Sequence, residues 1–163
     1  MATVPEYCNR VIPSQGQSFN NSEYAGVFHF RLWQFGEWID VVVDDYLPVN
    51  AETNSLVYCH NNKDSNEMFG PLLEKAFAKI NGCYEFLDGG DIVDALIDMT
   101  GGVGESFSVK SNNSTPNSRF VEKTKLWEIL FKSFAMKSLC GASIDAKGGH
   151  IEDIKANGLV LGN

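Results

Sequence analysis

The alternation of apolar and polar positions predicts two neighbouring β-strands early in the chain. Across residues 27–33 the apolar side chains at 28, 30 and 32 alternate with polar ones, which is the period of a half-buried strand. A second β-rich run, residues 38–43, follows the short connection Gln34-Phe35-Gly36. Because the connection is short and contains glycine, the two runs predict a hairpin. Shorter strands are predicted at residues 56–59, 106–109, 141–144 and 159–161.

A helical period marks the segment that follows. The apolar positions of residues 66–81 recur every three or four residues, which predicts a helix with one face in a core. Gly82 is the expected stop signal. Asp64 or Ser65 is expected to cap the start, and Glu67 lies where a capping-box acid would follow Asp64. The predicted core face consists of Phe69, Leu72, Leu73, Ala76, Phe77 and Ile80.

Two further helices are predicted, at residues 92–98 and 119–136. The second carries an apolar stripe that we expect to be buried, formed by Phe120, Trp127, Leu130, Phe131 and Phe134. Residues 1–24 show no sustained period and are expected to form an irregular N-terminal segment. The flexible pair Gly101-Gly102 is the one credible boundary between lobes. Mixed but separate helices and strands predict the α+β class.

Composition narrows the range of functions. The 163 residues are 44% hydrophobic, which is enough to bury a core. Thirteen basic against twenty-one acidic residues leave a net charge of −8, which repels nucleic acid and anionic lipid. Proteins, peptides or cations are therefore the expected partners. No apolar run reaches the roughly eighteen residues of a spanning helix and no export signal opens the chain, so a soluble, cytoplasmic protein is expected.

The chemically reactive side chains form no recognisable catalytic motif. The cysteines (Cys8, Cys59, Cys83 and Cys140) include no Cys-x-x-Cys pair and none precedes tryptophan, so buried, reduced thiols are favoured over a nucleophile. The histidines (His29, His60 and His150) have no ligand at metal spacing. A cluster of acids on the predicted hairpin (Glu37, Asp40, Asp44 and Asp45) suggests calcium, but its spacing is not that of an EF-hand. A solvated strand end is favoured there.

Several longer strings resemble the protease core of calpains, which are calcium-dependent, papain-like cysteine endopeptidases. They are YAGVFHF (residues 24–30), LWQFGEWIDVVVDDYLP (32–48), LLEKAFAKINGCYE (72–85), LDGG (87–90), TGGV (100–103), SLCGASID (138–145) and GLVLG (158–162). The resemblance covers nearly the whole chain from about Arg10. It implies a partial papain-like fold, with residues 25–101 in the first lobe, residues 102–163 beginning the second, and the Gly-Gly pair as the hinge.

The resemblance also implies where functional residues would lie. The family nucleophile belongs to a Gly-Asp-Cys-Trp motif upstream of the matching region, and the family histidine position holds Asn163. His150 lies too early to replace it. Gly90 and Gly162 are implied in substrate binding, and Glu67 as a calcium ligand whose companions lie upstream. Glu67 has an equally supported role as an acid at a helix N-terminus.

These features lead to two hypotheses about function. The first is a partial calpain core whose parent activity is calcium-dependent proteolysis of proteins or peptides in the cytoplasm, the chain alone being inactive. The alternative is a non-catalytic calpain-like module that binds partners through the old substrate cleft, which Asn163 favours. A longer transcript would separate them. In either case we expect residues 27–43 and 66–81 to border an exposed apolar groove.

Overall fold

The computed structural model describes residues 5–13, 17–64, 66–109 and 118–143, together with the backbone of residues 155–156 and 159–160. Two compact units are present, residues 1–90 with 94–104 and residues 91–93 with 105–163. In chain order the elements are α1 (Pro5–Val11), β1 (Val27–Gln34), β2 (Glu37–Asp44), α2 (Phe69–Asn81), a 3₁₀ helix (Tyr84–Leu87), α3 (Ile92–Thr100), β3 (Ser106–Ser108), β4 (Ser118–Phe120), α4 (Lys123–Ala135), β5 (Lys155–Ala156) and β6 (Leu159–Val160).

The predicted hairpin is confirmed. β1 and β2 pair antiparallel from Val27 opposite Asp44 to Gln34 opposite Glu37. The two-residue turn between them has positive φ at both positions, +52° at Phe35 and +89° at Gly36, as a type I′ turn requires. One face of each strand packs into the core, and the buried side chains are Phe28, Phe30, Leu32, Val41 and Val43.

α2 and α1 complete this core. The predicted helical face is confirmed for Leu72, Leu73 and Ala76, which are buried against the hairpin. Val11, at the end of α1, is fully buried in the same cluster. The prediction of an N-terminal segment without regular structure is therefore wrong for Pro5–Val11, because a helix of seven residues with one buried side chain is too short to show a period.

The ends of α2 differ in how well the sequence predicts them. Gly82 ends the helix at φ +111°, as expected. The start is three residues later than predicted, and no side chain caps it. The Asp64 carboxylate instead accepts from the Asn66 N–H at 2.9 Å, in a local turn before the helix. Glu67 Oε1 accepts from the Phe69 N–H at 2.7 Å, and Ser65 lies outside the described residues.

Side chains bind the outward-facing backbone on both sides of the hairpin. The Gln17 amide group accepts from the His29 N–H and donates to the His29 carbonyl. Directly opposite in the register, Lys79 Nζ donates to the Val42 carbonyl at 2.6 Å. Lys75 Nζ donates to the Asp44 carbonyl at 3.3 Å further along β2.

The strand predicted at residues 56–59 is wrong. Only an isolated bridge between Val49 and Leu56 forms there. The Cys59 N–H donates to the Glu74 carboxylate at 2.9 Å. The hydrogen-bond partner of this backbone group is therefore a side chain of α2 and not a neighbouring strand. The helix predicted at residues 92–98 is confirmed and extends to Thr100.

The second unit contains short paired strands and α4. β3 is confirmed and pairs in parallel with β4. Arg119 and Phe120 of β4 were predicted to begin the long helix, which instead begins at Lys123. β6 confirms most of the strand predicted at 159–161, and it pairs with β5. Residues 141–143 form no strand, and Ile144 lies outside the described residues.

The apolar stripe of α4 is not buried, so that prediction is wrong. Trp127 is 71% exposed, Phe131 69% and Phe134 84%. Leu130 at 41% and Phe120 at 51% are less exposed. Periodicity identifies the apolar face of a helix but does not supply the surface that would cover it. In the part of the chain that the structure describes, no helix is long and apolar enough to cross a membrane.

Candidate functional site

The residues predicted to be functional lie in different parts of the chain. Asn163 and Gly162, like His150, are outside the described residues. Glu67 lies two residues before the first residue of α2, and Gly90 follows the 3₁₀ helix. These two therefore lie on separate loops of the first unit.

Glu67 borders a groove between the hairpin and the start of α2. The groove has a volume of about 270 Å³, and Phe19, Phe28 and Phe30 form much of its apolar lining. The side chain of Glu67 is half-buried, and its bond to the Phe69 N–H lies where the helix dipole favours negative charge. The expected apolar groove beside the hairpin and helix is therefore confirmed.

Glu67 does not belong to a metal-binding cluster within the described ranges. Calcium takes six to eight oxygen ligands at about 2.3–2.6 Å. No group of three or more His, Cys, Asp or Glu side chains that could hold a metal ion occurs among the residues that the structure describes. Glu67 could supply one carboxylate to a calcium ion, with further oxygens needed from elsewhere.

The acids of the hairpin bind protein groups. Lys75 donates to Asp44, and this bond, together with the Tyr46 N–H, lowers the pKa of the Asp44 carboxyl. Desolvation and a hydrogen bond to Asp45 raise the pKa of Tyr24 to about 12. Asp40 is 63% exposed. The side chains of Asp44 and Asp45 therefore bind protein groups, whereas that of Asp40 lies largely in solvent.

Cys59 and Cys83 lack the surroundings of a nucleophilic thiol. Partial desolvation of the thiol, with the carboxylates of Glu74 and Glu67 adding to it, raises the pKa of Cys59, whereas a nucleophilic thiol needs a lowered pKa. The Cys83 thiol donates a hydrogen bond to Glu85, which lowers the pKa of that carboxyl. All four cysteines carry reduced thiols, as predicted, but the expectation that the thiols are buried is wrong. Cys59 and Cys140 are exposed and Cys8 and Cys83 half-buried, partly because the strand predicted around Cys59 does not form.

The described histidines are engaged elsewhere. His29 Nε2 lies 2.7 Å from Asp40 Oδ1, across the hairpin. His60 Nδ1 lies 2.8 Å from the Tyr58 carbonyl oxygen. Neither imidazole takes the place of a general base beside a thiol in these contacts.

Gly90 lies in an open stretch of backbone. Gly89 has φ +86° and Gly90 φ +156°, and a Cβ at either position would meet no atom within 4 Å. Glycine is required there by the backbone conformation and not by crowding. The open backbone leaves room for another chain to approach.

One contact was not anticipated from the sequence. Trp33 and Trp38, on either side of the hairpin turn, both lie against Gly101. The sequence does show two tryptophans flanking a turn and a distant Gly-Gly pair. Their spacing along the chain does not indicate that they are in contact.

Comparisons with known proteins agree with this architecture. The family profile described as "Calpain family cysteine protease" matches residues 1–163. Mouse calpain-5 is 42% identical over 168 aligned residues, covering 100% of this chain. The human calpain-1 catalytic subunit is 47% identical over 137 residues, or 84% of the chain. Calpain clp-4 of Caenorhabditis elegans is 44% identical over 154 residues, or 94% of the chain.

The helices and small sheets are those of a cysteine protease core with a partial papain-like α+β fold. The chain belongs to the calpain family. It spans 26% of the length of mouse calpain-5, 17% of the human calpain-1 catalytic subunit and 20% of calpain clp-4.

Proposed function

We propose that these 163 residues form part of the protease core of a calcium-dependent endopeptidase that cleaves proteins or peptides in the cytoplasm. The match of the calpain family over residues 1–163 carries this proposal. The buried core shared by the hairpin and α2 supports it, because a substrate cleft needs a packed scaffold on which to form. Residues 25–101 would belong to the first lobe and residues 102–163 to the second, after the N-terminal segment 1–24.

The 163 residues by themselves are proposed to be catalytically inactive. Acyl transfer needs a thiolate and a titrating imidazole, and Asn163 would place an amide, which does not titrate near neutral pH, at the family histidine position. The raised pKa of the Cys59 thiol and the bond from Cys83 to Glu85 support this proposal.

A cleavage assay tests the inactivity. The purified chain is incubated with casein or a fluorogenic peptide, with calcium and with a chelator, and we expect equal background rates. Cys83→Ala and Cys140→Ala variants serve as controls. Calcium-stimulated turnover that either substitution abolishes would identify a nucleophile in this chain and overturn the proposal.

Gly90 and Gly162 are proposed to bind substrate through their backbone. The open surroundings of Gly90 support its part in this, since an extended peptide can hydrogen bond to exposed backbone without a side chain intervening. Replacing Gly90 by Val in a longer, active form should raise KM, whereas Gly26→Val, at another uncrowded positive-φ glycine, should not. Equal effects would assign Gly90 a purely structural role.

Calcium binding through Glu67 is proposed to be weak in this chain, because one carboxylate supplies few of the required oxygens. Calorimetry should show no micromolar affinity. Glu37→Gln is a suitable control, since Glu37 is an exposed acid distant in sequence from Glu67. Micromolar binding that is lost in Glu67→Gln but kept in Glu37→Gln would show that other oxygen ligands of the chain complete the site and would overturn this proposal.

The second candidate is a non-catalytic calpain-like module that binds protein partners through the cleft. The observation that favours it is Asn163 at the family histidine position. Sequencing a longer transcript separates the candidates: an upstream Gly-Asp-Cys-Trp supports the enzyme, and a genuine Asn followed by Ala-Tyr supports the inactive homologue.

A further inference from the structure

Two elements of the first unit, β1 and α1, bind the last turn of α3. Gln34 Nε2, at the end of β1, donates to Asp98 Oδ2 at 2.7 Å. Arg10 Nη1, from α1, donates to the Thr100 carbonyl at 3.2 Å. Met99 packs against the hydrophobic core. The end of α3 is thus hydrogen bonded to the end of β1 and to α1.

The residue after α3 is held by the indole rings of the hairpin. Trp33 and Trp38 are paired across the strands and meet edge to face, with ring centroids 5.6 Å apart. A Cβ on Gly101 would lie 3.2 Å from Trp38 Cζ2 and 3.3 Å from two atoms of Trp33. The backbone itself therefore rests against the indole pair.

Gly101 is fixed by its own hydrogen bond as well. Its N–H donates to the Ile97 carbonyl at 2.8 Å, and φ is +66°. The Gly102 N–H donates to Thr100 Oγ1 at 3.1 Å. The next residue, Val103, is 97% exposed. Gly102 is therefore the last residue of this segment that these contacts hold in place.

We propose that Trp33, Trp38 and Gly101 form a latch that fixes the point where the chain leaves α3. Within the pair Gly101-Gly102, Gly101 is then an anchor, and rotation of the backbone begins after it. The latch opens only when Gly101 lifts away from the indole pair, which frees the already exposed residues 102–105 to adopt the extended backbone that a protease binds. This assignment differs from a hinge centred on both glycines.

The test uses the full 163-residue chain with Trp127→Gln in the background. This change removes the third tryptophan, so that exciton-coupled circular dichroism reports Trp33 and Trp38 alone. Gly101→Ala is compared with Gly26→Ala, which places the same methyl group at φ +75° where no atom lies within 4 Å. Both variants carry the strain of a left-handed backbone, and only Gly101→Ala crowds the indoles.

We expect Gly101→Ala to lose the exciton signal and Gly26→Ala to keep it. Cleavage after Glu105 by a glutamyl protease, followed by mass spectrometry, should accelerate about tenfold in Gly101→Ala, equivalent to about 1.4 kcal/mol in local opening. Equal behaviour of the two variants in either measurement would overturn the proposal.

A second variant covers the case in which Gly101→Ala does not unfold cooperatively. Trp38→Leu removes a half-buried ring and adds no volume to the core. Faster cleavage after Glu105 in this variant supports the latch. An unchanged rate contradicts it.

Discussion

The exposed apolar face of α4 should make the isolated chain self-associate. Trp127, Phe131 and Phe134 lie at i, i+4 and i+7 and are each at least 69% exposed, so they form one contiguous stripe. We choose Phe131→Lys as the perturbation. It places a charge in the middle of the stripe, and lysine is a good helix former, so α4 itself should persist.

The structure sets the size of the effect. With about 200 Å² for a fully exposed aromatic side chain, the three rings expose roughly 450 Å². Two copies would then bury about 900 Å², near the lower limit of specific interfaces, so association should be weak. Phe131 contributes roughly 140 Å², or about 3 kcal/mol per copy, and its loss should raise Kd at least about a hundredfold.

Sedimentation velocity over a range of concentrations measures this directly. The unmodified chain should shift toward dimers or larger species as concentration rises, and Phe131→Lys should remain monomeric. The matched control is Phe35→Lys, since Phe35 is 97% exposed but lies at the hairpin turn. Association that survives Phe131→Lys, or that Phe35→Lys abolishes equally, would refute the reasoning.

Three stability predictions rest on the first unit. Lys75→Met should lower the urea midpoint at neutral pH, and because Lys75 lowers the pKa of Asp44, the loss of stability as pH falls below about 4 should become shallower. Asp98→Asn should raise the thermal midpoint at neutral pH. Burial, and after it the charge of Asp94, raise the pKa of the Asp98 carboxyl in the folded protein. The protonated carboxyl therefore stabilises the fold below the pKa of the unfolded chain, and this stabilisation is lost as pH rises through the pKa of the folded protein. Gly82→Ala should cost about 1–2 kcal/mol in chemical denaturation, since φ there is +111°; an unchanged midpoint would show that the backbone relaxes.

The sequence predicted those helices and strands whose own residues carry a clear periodicity and a clear turn or stop residue. The hairpin has strict alternation and a glycine turn, and α2 has its period and Gly82, so both were found. α1 was missed because only Val11 is buried. The start of α2 was misplaced because the Asp64 carboxylate accepts a hydrogen bond in a local turn and does not cap the helix. The spacing of residues does not show which of these two roles an aspartate takes.

The site was harder to predict than the fold because it depends on contacts between distant residues. Trp33 lies against Gly101 although the two are far apart in sequence. Exposure of Cys59 depends on a strand that does not form. The burial expected for the α4 stripe required a covering surface, and periodicity carries no information about one. The site assignments for Glu67 and Gly90 came from family resemblance and remain predictions.

The side chains bound to the backbone of His29 and Val42 have a consequence for aggregation. A two-stranded sheet has two edges, each of which offers unpaired N–H and C=O groups to an incoming strand. Gln17 occupies both groups of His29 on one edge, and Lys79 occupies the Val42 carbonyl on the other. A strand arriving at either edge would have to displace these bonds and, beside β2, desolvate an ammonium group. The hairpin is thereby protected from growing into a larger intermolecular sheet at the level where its two strands pair.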